Sequence, residues 1–133
     1  MPGYAGAGQA ALLRNNQQVF LFQRERVGNG EASIAVQLER INRSHYPWGV
    51  SFQVYFSDVN GVPADPGAFE VDIQSSDADV GIQYCTINSW VNDTSLNPFF
   101  VGQIQLPSFY AKYVRASVLS LTNAVYVSVL ATH

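Results

Sequence analysis

Val50-Ser51-Phe52-Gln53-Val54-Tyr55-Phe56-Ser57 is the stretch on which the fold turns. Val50, Phe52, Val54 and Phe56 alternate with Ser51, Gln53, Tyr55 and Ser57. A period of two places alternate residues on opposite faces of an extended strand. One face is built for burial and the other for water, as in an antiparallel sheet covered on one side.

The same period recurs outward from this segment. Ile34, Val36 and Leu38 interleave with Ala35, Gln37 and Glu39; Phe69, Val71 and Ile73 with Glu70, Asp72 and Gln74; Val125, Val127 and Val129 with Tyr126, Ser128 and Leu130. Weaker strands are expected over 18–23, 79–88, 99–106 and 112–119. Turn chemistry separates them: Gly28-Asn29-Gly30, Asp58-Val59-Asn60-Gly61, Pro63-Ala64-Asp65-Pro66-Gly67, Ser75-Ser76-Asp77 and Thr122-Asn123. No segment carries a capped helical stripe, and 109–119, the nearest to one, is rich in Tyr, Val and Ser and reads as strand. The expectation is an all-β, two-sheet antiparallel β-sandwich of about eight strands, a jelly roll first and an immunoglobulin-like topology second.

At 133 residues and 14.6 kDa the chain fits one domain with a core of its own. That domain is expected over 18–133, preceded by an extended, partly flexible arm over 1–17 whose first residues are rich in Gly and Ala. Apolar alternation begins after Leu13, so removal of 1–13 is expected to leave a folded body. Cys85 is the single cysteine, which excludes an intrachain disulfide and suits a reducing cytosol. The start lacks the pattern of a signal peptide, and no run of about 18 apolar residues occurs, so a soluble, unprocessed protein with no membrane partner is expected.

Charge is unevenly spread. Seven acids and no base lie between Asp58 and Asp93, whereas Arg14, Arg24 and Arg26 face a single Glu25 in the first thirty residues. Residues 1–43 carry +2 and the remainder −5, for a net −3. Nucleic-acid affinity comes mainly from neutralising phosphates with Lys and Arg, and seven bases on an acidic chain argue against it. The arginines suit pairing with carboxylates on a neighbouring surface, so the arm is expected to order on a partner through Tyr4, Arg14, Arg24 and Arg26, with a frayed terminus as the alternative.

The residues for catalysis are sparse. The only histidines are His45 and the terminal His133, so a triad would have to use His45, which stands in Ser44-His45-Tyr46-Pro47-Trp48 and reads as a loop residue. Cys85 falls within an expected strand, where a small buried residue is the default. Asp77-Ala78-Asp79 and Asp58-Val59-Asn60-Gly61 offer oxygen ligands but follow no calcium-loop pattern, and read as turns. Glu70 and Asp72 share a strand face, as a glycosidase pair would, yet outward carboxylates on a half-exposed sheet are ordinary. No catalytic residue, cofactor or metal is expected, and the chain reads as a non-enzyme.

Aromatic residues are the other signal. Exposed Trp and Tyr could stack on sugars, while cores and interfaces also consume such rings. Trp48 and Trp90 are the candidate partner contacts, and Trp90, followed by Asn92-Asp93-Thr94-Ser95, is expected on a loop.

From Trp48 onward, through Phe52-Gln53-Val54-Tyr55-Phe56, Pro66-Gly67-Ala68-Phe69-Glu70-Val71-Asp72-Ile73-Gln74 and Ala111-Lys112-Tyr113-Val114-Arg115-Ala116, the chain resembles the jelly-roll cement, or decoration, proteins of tailed-bacteriophage capsids. It implies a structural virion protein, made in the bacterial host cytoplasm, that binds the outside of the shell as a homodimer or homotrimer and clamps neighbouring major capsid protein subunits. A tail or receptor-binding module that recognises host carbohydrate is the alternative.

Overall fold

The computed structural model describes residues 11–14, 17–38, 49–92, 100–106 and 112–133. Their strands are β1 (Ala11–Leu13), β2 (Gln18–Glu25), β3 (Glu31–Ala32), β4 (Val36–Leu38), β5 (Val50–Ser57), β6 (Phe69–Ser76), β7 (Cys85–Val91), β8 (Val101–Leu106), β9 (Tyr113–Leu121) and β10 (Tyr126–Thr132). Among the described residues the helical content is one 3-10 turn, Gly81–Gln83. The fold is an all-β sandwich of two sheets, antiparallel apart from the parallel pair β1–β4.

One sheet runs β1-β4-β9-β6-β7, with β3 also paired to β9; the other runs β2-β10-β5-β8. With β1 set aside and β3 taken together with β4, successive strands change sheet at every step except the β6–β7 hairpin. The strands before and after β5 in the chain therefore belong to the opposite sheet, and the core between the sheets is apolar. Phe52, Val54 and Phe56 of β5 and Val127, Val129 and Ala131 of β10 are fully buried on one side. Val71 and Ile73 of β6 and Val114, Ala116 and Val118 of β9 are fully buried on the other. The rings of Phe56 and Phe69 join the two layers at 4.8 Å between centroids, tilted by 59°, a favourable aromatic geometry.

Three departures from simple alternation have local causes. In β2, Leu21 and Phe22 are consecutive yet both buried, because the β2–β10 register shifts between Val129 and Leu130. A second shift lets Gln23 and Arg24 oppose Ser128 alone; Arg24 takes a φ of 46°, and its N–H donates to the Ser128 hydroxyl at 3.0 Å. This is the bulge geometry that bends an edge strand. The strand expected over 79–88 is instead the 3-10 turn followed by β7, which runs on to Val91. Leu13, within the expected arm, is 2 % exposed, and β1 pairs with β4 in register from Ala11↔Val36 to Leu13↔Leu38. Among the described residues the sheet thus begins at Ala11.

The turns follow their sequence chemistry. Asp58 Oδ1 accepts the N–H groups of Asn60 at 2.8 Å and Val62 at 3.0 Å, while Gly61 supplies the φ of 84° that closes the turn. Tyr55 donates its hydroxyl to the Gly61 carbonyl at 2.6 Å and ties this turn to β5.

Candidate binding surface

The β6–β7 connection presents the most exposed large apolar side chain among the described residues. Ile82 is 91 % exposed, and Val80, two residues earlier, is 44 % exposed. Single exposed apolar residues are ordinary on protein surfaces; this pair is set apart by its place on one loop and by the near-complete exposure of Ile82.

The loop beneath them is braced. Ser76 donates its hydroxyl to the Ala78 carbonyl at 2.6 Å and accepts the Ala78 N–H at 3.1 Å. The Tyr84 hydroxyl donates to Asp79 Oδ1 at 3.0 Å. Arg115 of β9 crosses from the sheet: its guanidinium carbon lies 4.0 Å from the Tyr84 ring centroid, and its Nε donates to Gln74 Oε1 at 2.8 Å. A longer contact, 3.4 Å, reaches the Gly81 carbonyl. The apolar tip is therefore displayed on a loop held by side-chain hydrogen bonds and a ring contact. Sequence reasoning missed this feature because Val80, Gly81 and Ile82 fell inside an expected strand; Gly81 was the available sign of a break.

A second polar feature lies on the outer face of β6. Asp72 is only 2 % exposed, although alternation places it outward, because β6 sits between β9 and β7. Thr86 donates its hydroxyl to Asp72 Oδ2 at 2.9 Å. Glu70 stands beside it. Hydrogen bonding to Asp72 first, then desolvation and like-charge repulsion, pushes the Glu70 carboxyl up from the ordinary carboxylate range. The expectation of outward, solvated carboxylates is corrected for Asp72: the flanking strands cover it.

The sequence-derived partner residues disperse. Tyr4 and Trp48, like His45, lie outside the described residues. Arg14 is exposed just after β1, where its carbonyl accepts the Gln17 N–H. Arg24 is exposed in the β2 bulge; a Cβ added at Gly61 would stand 2.8 Å from its Nη2, so the side chain reaches over the β5–β6 turn. Arg26 follows β2, with its guanidinium carbon 5.7 Å from the Tyr126 ring centroid. These two arginines thus mark an edge of the second sheet.

Trp90 is corrected. It lies in β7, opposite Val71, and is 4 % exposed within the core cluster. Its indole N–H has no hydrogen-bond partner. Cys85 is also corrected: it is exposed, because β7 is an edge strand with little cover beyond β6. Among the described residues no group of three or more His, Cys, Asp or Glu is placed to hold a metal ion, and no helix is long and apolar enough to cross a membrane. A hollow of about 300 Å³ between the ends of β5, β8 and β10 is lined by Val50, Leu106, Thr132 and His133 among others, and His133 Nδ1 lies 3.1 Å from the Gly49 carbonyl.

Comparison of the chain with protein-family models, with curated proteins and with solved structures finds no match.

Proposed function

We propose that this chain is a non-enzymatic virion protein that binds the outside of a tailed-phage capsid and cements neighbouring major capsid protein subunits. The observation that carries the reading is the braced apolar tip: Ile82, 91 % exposed, on a loop held by Arg115, Tyr84 and Asp79. A rigid apolar projection has the character of an interface anchor, which excludes water from a partner's surface with little ordering cost. The strand order supports a jelly roll, because sheets β2-β10-β5-β8 and β4-β9-β6-β7 are those that two interleaved Greek keys generate. The sequence resemblance adds the capsid context, with a second copy of the chain and the major capsid protein as partners.

The carbohydrate reading loses its loop tryptophan, since Trp90 offers no face for stacking. Electron microscopy of purified virions carrying a labelled chain tests the proposal. Label distributed over the shell is the expected result, and label confined to the tail would overturn it.

A further inference from the structure

The outer face of β6 holds a carboxylate whose charge is poorly compensated. Asp72 is 2 % exposed; Thr86 serves Oδ2, and Oδ1 has no hydrogen-bond partner. A buried carboxylate oxygen without a donor or a cation is costly. Glu70 is two residues away on the same strand face and half-buried; hydrogen bonding with Asp72, then desolvation and like charge, raise its carboxyl from the ordinary range. Opposite Asp72 in the sheet stand Ser117 of β9 and Ser89 of β7, and opposite Glu70 stands Ser120. These neighbours bring hydroxyl oxygens. The nearest basic residue along β9, Arg115, is engaged by Gln74, the Gly81 carbonyl and the Tyr84 ring.

Two carboxylates on one strand face, one of them buried with an oxygen that has no hydrogen-bond partner, form an oxygen-rich setting that suits a hard cation. We propose that Glu70 and Asp72, with the Thr86 hydroxyl, bind a divalent cation of the calcium kind on the outer face of β6. Water would fill the remaining positions, as calcium's flexible coordination permits. The site joins β6 to β7 through Thr86, so the bound ion would fasten the edge strand that follows the apolar tip. The inference is independent of the capsid reading.

The test titrates the chelator-treated full chain with calcium chloride by calorimetry, alongside thermal melts in calcium chloride, magnesium chloride or chelator. A saturable heat and a melting midpoint that climbs with calcium concentration are expected. Glu70→Gln changes a half-exposed side chain and should fold, yet lose both responses. The absence of any calcium response in the unmodified chain would overturn the proposal. So would a full response retained by Glu70→Gln, and so would a midpoint raised by acid but by neither metal.

Discussion

Arg115 and Tyr84 form one stacked unit: the guanidinium carbon stands 4.0 Å from the ring centroid, joining the first part of β9 to the residue that ends the 3-10 turn. Sequence separation makes the relationship informative. Residues 31 positions apart meet only because β9 and β7 flank β6, and their contact converts a loop into a fixed projection.

Arg115→Ala is expected to lower stability by about 1–2 kcal/mol, the worth of a partly desolvated cation–π contact and a side-chain hydrogen bond. Arg115→Lys should recover only part of it, since the planar fork that serves Gln74 while stacking on Tyr84 is lost. Denaturant midpoints measure the change, and hydrogen exchange should show faster opening around residues 81–85. Unchanged exchange there would remove the bracing role.

Trp90→Ala should cost about 3–5 kcal/mol, as expected for a large ring leaving a core. Trp90→Phe should cost under about 1.5 kcal/mol, because it keeps an aromatic ring and discards an N–H that has no partner. A near-zero effect of Trp90→Ala in chemical denaturation would instead place the ring on the surface.

These residues also show how far the sequence could be read. The alternation from Val50 to Phe56 translated directly into burial, because β5 pairs without a register shift with both β10 and β8. In β2 it failed: bulges put Leu21 and Phe22 on one side, and a bulge depends on the partner strand's register. Trp90 was misread because the polar residues after it resemble a loop, whereas its burial comes from Val71 on the neighbouring strand. Cys85 and Asp72 erred in opposite directions for one reason. Exposure follows place in the sheet, edge for β7 and interior for β6, and a period of two carries no such information.

Asp58→Ala should cost about 1–2 kcal/mol by leaving the Asn60 and Val62 N–H groups without their acceptor. Asp58→Asn retains a carbonyl oxygen at that position and should stay close to the unmodified protein. Thermal melts of both variants check this, and equal losses would indicate that the charge rather than the turn geometry matters.

Truncation through β1 should be costly. Relative to a chain lacking residues 1–10, one lacking residues 1–13 also loses the β1–β4 pairing and the buried Leu13. The second truncation is expected to cost about 2–5 kcal/mol, the range for emptying a leucine site in a core. Equal midpoints would show that β1 adds nothing to the sheet.

The most direct measurement of the central claim is co-sedimentation of the purified chain with capsids that lack it, comparing the unmodified protein with Ile82→Asp. A charge on an exposed tip should leave the thermal melt unchanged while opposing burial against a partner. Saturable binding by the unmodified chain, and its loss in a fully folded Ile82→Asp variant, is the result predicted. No binding by the unmodified chain, or undiminished binding by the variant, would contradict attachment to the shell through this tip.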